Sequence, residues 1–477
     1  MLKQLSSRIK VTVATVLVVF VAFTFVRCEK SSTQSFVAEY QDSLTQKDLL
    51  WLNNFAERGD SVGMITGIKR LSFPATIITQ VRNKYSFYIT QLIDHKNPEL
   101  GTFKQLVVID FTGWDKPVDL QTEGYHLSNA HEPYYAPEMT KLFSANAIFV
   151  EHRYFGKSVP FVGNVDAMDP SALNWDYLNA EQEAADLHLI REKLGMLFKG
   201  KWMACGESKG GENSLIYTAY YPGDIDCTVP YVGPICNGVN DSRISHFIED
   251  TTWTPEVREK IKNFQIEMLK RRSTMLPLLE DNLLDEGTAK ISMNELYDYF
   301  VLDFAAAFVQ TNYHPETIPD IKTASDYAMF NYAAGVCPPS EFMLNDGGLI
   351  AYFVQAAKEL GYYSYDIEPF KDWLTIKSGS DVLEKVYLPL GRSFQFDSSL
   401  NNKLYRFLAT TKSKIMFIYG ANDEWTSARP FSTEHDNLKL YIVPGENHRA
   451  NIQRMPAAMK AEALATLSSW LGVNAAN

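Results

Sequence analysis

Short apolar runs bounded by turn residues recur along the chain, at residues 106–111, 118–122, 147–150, 202–205, 415–419 and 440–443. They are rich in Val, Ile and aromatic residues, which predicts strands. Between the third and fourth runs, residues 175–197 place Leu187, Ile190, Leu194 and Leu197 on one face of a helix. Pro456 opens a final segment in which Met459, Ala463, Leu467 and Leu471 recur every four residues, so the chain closes on another helix. Strands alternating with helices at this spacing imply a mainly parallel sheet covered on both faces. From about residue 240 to 402 the rhythm changes. Residues 255–270, 294–308 and 348–360 have helical patterns there without a clear buried strand, which predicts a helical insertion over the sheet. No repeat or low-complexity tract interrupts the body, which excludes solenoids and propellers.

The amino end follows a different pattern. Lys3, Arg8 and Lys10 precede an apolar run at residues 11–26, long enough for a signal-peptide core and short for a bilayer crossing, so export is expected. Cys28 stands where a lipoprotein carries its lipid, and a lipid there is the one membrane attachment we expect. Phe25-Val26-Arg27 does not resemble a lipobox, so cleavage of the leader is favoured over lipidation, and both over a retained anchor. The expected product is periplasmic, secreted or lipid-anchored to the envelope. The expected division is a leader at 1–27, a core at 28–239 beginning with a polar tether to about residue 45, a helical cap at 240–402, and a second core segment at 403–477.

Length and composition narrow the class. The chain has 477 residues, 46% hydrophobic and 21% charged, which suits one enlarged enzyme domain and argues against long disorder. A net charge of −12, with no basic block, argues against a nucleic-acid partner. The aromatic residues fit a large aromatic core better than a grip on extended polymers. Beyond Cys28, Cys205, Cys227, Cys236 and Cys337 could pair in an oxidising compartment. Cys205 falls in an apolar strand and is expected to be a buried small hydrophobe; a bridge from Cys236 to Cys337 or to Cys227 is the pairing expected.

The chemistry gathers around Gly206-Glu207-Ser208-Lys209-Gly210, a G-x-S-x-G pattern between the strand at 202–205 and a helical stretch at 212–221. Flanking glycines leave room for a serine exposed on a sharp turn, and the backbone N–H of Lys209 then offers an oxyanion donor. A serine hydroxyl needs a base. His448 follows the last strand on Pro444-Gly445-Glu446-Asn447, whereas His435 precedes it, so His448 is the expected base. One strand earlier, Gly420-Ala421-Asn422-Asp423 supplies the expected acid, with Glu424 as its rival. Helix cap, turn cap and surface histidine would account for Ser208, Asp423 and His448 singly, but not for their order on successive strand ends. After the strand at 118–122, Gly124 or Tyr125 is the expected second oxyanion donor, and Glu123 brings a carboxylate to the cleft.

Taken with Glu151-His152-Arg153-Tyr154-Phe155, Trp175, residues 182–186, Gly211 and Trp425, these motifs resemble the secreted bacterial tripeptidyl aminopeptidases over about residues 61–470. A more distant likeness is to prolyl carboxypeptidase and dipeptidyl peptidase II. The resemblance implies an α/β-hydrolase core with a helical cap, and a serine exopeptidase that releases short peptides, expected to be tripeptides, from free amino termini. Ser208, Asp423 and His448 would form its triad. Glu424 departs from the family pattern, which often has proline after the aspartate, and the cap carries no matching motif. An aminopeptidase must hold a substrate ammonium, for which Glu123 and Glu207 are the expected carboxylates. Glu151 is expected to pair internally with Arg153, and His152 to be structural. No metal or other cofactor is expected, since H-E-x-x-H is absent and the P-loop spacing is missing. The alternatives are a prolyl-type di- or carboxypeptidase, an esterase or lipase on the same core, and a non-catalytic exported binding lipoprotein.

Overall fold

The computed structural model describes residues 43–55, 61–72, 83–161, 173–311, 313–343, 348–430 and 436–476. The leader, Cys28, most of the polar tether and His435 lie outside the described residues. Within them, strands β1 (Ile65–Leu71), β2 (Asn83–Leu92), β3 (Thr102–Phe111), β4 (Val118–Thr122), β5 (Asn146–Val150), β6 (Trp202–Glu207), β7 (Cys227–Tyr231), β8 (Ile415–Gly420) and β9 (Leu438–Val443) form one sheet. Its order is β1-β2-β3-β5-β4-β6-β7-β8-β9. Pairing is antiparallel from β1 to β5 and parallel from there to β9.

The apolar runs predict β3 and the parallel strands β4, β5, β6, β8 and β9, but not the parallel β7. On β8, Ile415 and Phe417 enter one core cluster while Met416 and Ile418 enter the other, as alternation across a pleated sheet requires.

The helices are α1 (Gln46–Trp51), α2 (Glu138–Phe143), α3 (Ala180–Leu194), α4 (Lys209–Tyr220), α5 (Ser242–Asp250), α6 (Pro255–Lys270), α7 (Arg272–Asn282), α8 (Met293–Gln310), α9 (Asp326–Val336), α10 (Ile350–Gln355), α11 (Ser399–Thr410) and α12 (Ala457–Leu471). The helix expected over 175–197 is shorter: Trp175–Tyr177 forms a separate 3₁₀ turn, and Asn179 caps α3 by accepting from Gln182 N. Between β7 and β8 the described residues contain helices and no strand. Helices α6 and α8 and the segments around them build their own apolar core from Phe264, Met268, Tyr297, Phe300 and Phe304. Phe155, Trp175 and Trp425, from loops at the sheet's carboxyl edge, join that same core. A parallel sheet with an antiparallel flank, a serine elbow after β6 and helices inserted before β8 is the α/β-hydrolase fold with a helical cap.

The expected disulfide is corrected. Cys205, Cys227, Cys236 and Cys337 are all free and buried. The sheet interior encloses Cys205 and Cys227, and Cys337 Sγ donates to Asp303 Oδ2 at 3.4 Å.

Candidate active site

Ser208 immediately follows β6 with φ 56° and ψ −124°, a conformation that disfavours any side chain. Its N–H donates to Tyr231 O at 2.9 Å, and its carbonyl accepts from Glu212 N at 3.0 Å. The flanking glycines make this turn possible. A Cβ on Gly206 would lie 2.4 Å from the Gly210 carbonyl carbon, and one on Gly210 would lie 2.7 Å from Thr122 O. Although Ser208 starts α4, its hydroxyl makes no capping hydrogen bond. The helix therefore leaves the oxygen available.

Two loops further along the sheet edge hold an acid and an imidazole. His448 Nδ1 lies 2.9 Å from Asp423 Oδ1, with Asp423 fully buried and the His448 side chain 16% exposed. A carboxylate only accepts, so this contact puts the ring proton on Nδ1 and leaves the Nε2 lone pair free. Asp423 Oδ1 also accepts from Trp425 N at 3.3 Å, so it caps its turn and holds the ring together. Asn422 N donates to Glu446 O at 2.8 Å, tying the acid loop to the histidine loop. Cap segments brace both: Trp253 N donates to Asn422 Oδ1 at 2.8 Å, and Asn447 Nδ2 donates to Thr311 O. Glu424 does not hold the histidine. Burial first, and then the adjacent Asp423 charge, push its carboxyl well above the usual range, which favours the neutral acid. No hydrogen bond joins the Ser208 hydroxyl to His448 among the described residues, and such bonds often tighten only when substrate is bound.

The loop after β4 lies against the elbow. Thr122 Oγ1 donates to Gly210 O at 2.8 Å and to Cys205 O at 3.1 Å, and Asn213 Nδ2 donates to Glu123 O at 3.1 Å. A Cβ on Gly124 would approach Lys209 Cβ to 2.7 Å and Gly210 N to 2.9 Å, so Gly124 and Lys209 are in direct apposition. Tyr125 is held beside them. Its carbonyl accepts from His152 N at 3.1 Å, and its ring packs edge-on against Phe155 and the cap's Tyr352. Glu123 and Glu207 come together electrostatically: burial, then the charge of Glu207, push the Glu123 carboxyl up to about 7, while Glu207 remains exposed. The roles of the Thr122 and Asn213 side chains were not read from the sequence; only their hydrogen bonds between the loop and the elbow reveal them.

The expected Glu151–Arg153 pair is also corrected. Arg153 binds Asp186 through Nε and Nη2, both at 2.8 Å, because the fork of a guanidinium matches a carboxylate in α3 facing it. Glu151 instead accepts from Ser158 Oγ at 2.7 Å and from the backbone N–H of Lys157 at 3.0 Å. His152 is internal: Nε2 lies 2.6 Å from Glu183 Oε2 and Nδ1 lies 2.6 Å from Arg153 O. Among the described residues, no group of acidic, histidine or cysteine side chains is arranged to hold a metal ion, and no helix is long and apolar enough to cross a membrane.

Comparison with known proteins adds to this geometry. The family model described as PS-10 peptidase S37 matches residues 68–477. A prolyl tri/tetrapeptidyl aminopeptidase from Streptomyces mobaraensis is 27% identical over 401 residues, covering 80% of this chain and 79% of that protein. The lysosomal Pro-X carboxypeptidase of Mus musculus is 29% identical over 167 residues, 33% of each chain. A solved structure of proline iminopeptidase from Mycobacterium smegmatis covers 80% of this chain and 98% of its own, at 12% identity and a TM-score of 0.36.

Proposed function

This chain belongs to the peptidase S37 family, and from that premise we propose that it is a serine exopeptidase that releases tripeptides or similarly short peptides from free amino termini. The observation that carries the reading is the 2.9 Å contact between His448 Nδ1 and the buried Asp423, on loops neighbouring the strained Ser208 turn. In the proposed reaction Ser208 Oγ attacks the scissile carbonyl while His448 Nε2 takes its proton. The imidazolium formed is stabilised by Asp423. Backbone N–H groups of Lys209 and of Gly124 or Tyr125 stabilise the oxyanion. The tetrahedral adduct collapses as His448 gives the proton to the departing amine, and water then cleaves the acyl-enzyme by the same route.

Glu123 and Glu207 would receive the substrate ammonium. The cap would admit chain ends and exclude folded chains. The apolar run at 11–26 supports action outside the cytoplasm.

Peptide-library digestion with product sequencing by mass spectrometry tests the proposal. Fragments of uniform short length from free amino termini, with N-acetylated copies left intact, are expected. Equal cleavage of the acetylated peptides would remove the aminopeptidase reading and favour an esterase-like or endopeptidase pocket.

A further inference from the structure

Lys209 serves the proposed reaction through its backbone, yet its side chain is the least ordinary group at the site. The residue is 2% exposed, and Nζ has no hydrogen-bond partner among the described residues. A buried ammonium is expensive unless surrounding charge holds it. Here, burial pushes the amine's pKa down, while Glu183, Glu212 and Glu359 act in the opposite direction. These carboxylates come from three places. Glu212 is on the next turn of α4, and Glu183 lies on α3, bound to His152. Glu359 belongs to the π turn Ala356–Leu360 of the cap, where it accepts from Ala180 N at 2.7 Å. The Phe155 ring, with its centroid 5.8 Å from Nζ, adds a π face.

The route of the stem matters as much as the charge. A Cβ on Gly124 would meet Lys209 Cβ at 2.7 Å and Cγ at 3.0 Å, so the side chain runs directly against the loop expected to supply the second oxyanion donor. That loop is otherwise held to α4 through Thr122 and Asn213. A serine peptidase needs its N–H donors fixed before the negative charge develops, in a site dry enough for fixed charges to count.

We propose that Lys209 is a positioning residue: its buried side chain, running along Gly124 with its amine beside the Phe155 ring, braces the Gly124 loop against the elbow so that the backbone donors are fixed before charge develops. This rests on the serine-peptidase reading of Ser208. It extends that reading by assigning a role to the side chain of the residue whose backbone is the expected oxyanion donor.

The test compares wild type, Lys209→Met and the double variant Lys209→Met/Glu212→Gln. The double variant removes the buried amine together with one of the buried carboxyls that act on it. For each, kcat and KM are measured on a substrate in which a tripeptide with a free amino terminus is joined through its carboxyl to a chromogenic amine, and the rate of phosphonylation by a fluorophosphonate is followed by mass spectrometry. We expect kcat and the phosphonylation rate to fall together by about ten- to hundredfold in both variants, with KM changed by no more than about threefold, as for a lost transition-state interaction. The double variant should melt near the wild-type temperature. A folded double variant with kcat and phosphonylation within about twofold of wild type, or a change confined to KM, would overturn the proposal. Failure of wild type itself to take the label at Ser208 would remove the serine reading, and the proposal with it.

Discussion

At the residue scale, the sequence singled out Ser208, Asp423 and His448 because hydrolase chemistry demands an order along the chain as well as residue types, and the structure brings Asp423 and His448 into contact. The choice of acid was the open point, and adjacent carboxyls make it testable. Asp423 holds the histidine, whereas burial favours the neutral form of Glu424. Asp423→Asn should lower kcat by about 10⁴-fold with the fold intact, because the amide favours the wrong imidazole tautomer. Glu424→Gln replaces a neutral acid by a neutral amide and should stay within a fewfold of wild type in the same assay. The reverse ranking would make Glu424 the acid.

Glu123 supplies a pH signature. Its pKa is raised to about 7, so the carboxylate that would attract an ammonium is present above that pH and lost below it. The KM for free-amino peptides should therefore fall as pH rises through about 7. Glu207→Gln removes the repelling charge and should move that transition to lower pH, while a KM flat across this range would deny Glu123 the role. The partner of Arg153 was not legible: Asp186 is remote in sequence, and only the fold brings the fork and carboxylate together.

At the element scale, β4, β5, β6 and β8 were read from continuous apolar runs because they are buried along nearly their whole length. The sequence pattern missed β1, β2 and β7 for identifiable reasons. β1 is a partly exposed edge strand with Lys69 and Arg70. β2 interleaves polar residues, including a buried Lys84 that reaches Asp110 at 3.0 Å. β7 carries Pro230, which removes a ladder donor.

The cap helices 255–270 and 294–308 were visible from their periodicity, but the attachment of the cap was not, because it uses backbone acceptors. Lys358 Nζ donates to Trp175 O and Leu178 O, joining the π turn to the segment ahead of α3. Lys358→Met should destabilise this junction by about 1.5–3 kcal/mol, the range for hydrogen bonds to charged groups. Hydrogen exchange should quicken over residues 350–360 and stay unchanged in β4 to β8; uniform change across the sheet would contradict a local weld. Deeper in the core, Arg153→Met leaves the buried Asp186 carboxylate with His95 as its remaining side-chain partner. A loss of about 3–5 kcal/mol in urea unfolding is expected, and a loss below about 1 kcal/mol would mean that the pair is not carrying that charge.

At the scale of the whole molecule, the order of strands, insertion and closing helix pointed to a mainly parallel sheet under a helical insertion, and the family resemblance added that the core is an α/β-hydrolase. Disulfide pairing was not legible, since buried cysteines pack as small hydrophobes without announcing whether they pair. The cap's aromatic core continues into Phe155, Trp175 and Trp425 at the sheet edge, so cap and core share one buried cluster.

All of this turns on one activated hydroxyl. The most direct measurement is fluorophosphonate labelling of the folded protein followed by peptide mapping. A single adduct on Ser208, absent from Ser208→Ala and greatly slowed in His448→Ala, is expected; an adduct on another residue, or equal labelling of Ser208→Ala, would contradict the catalytic account.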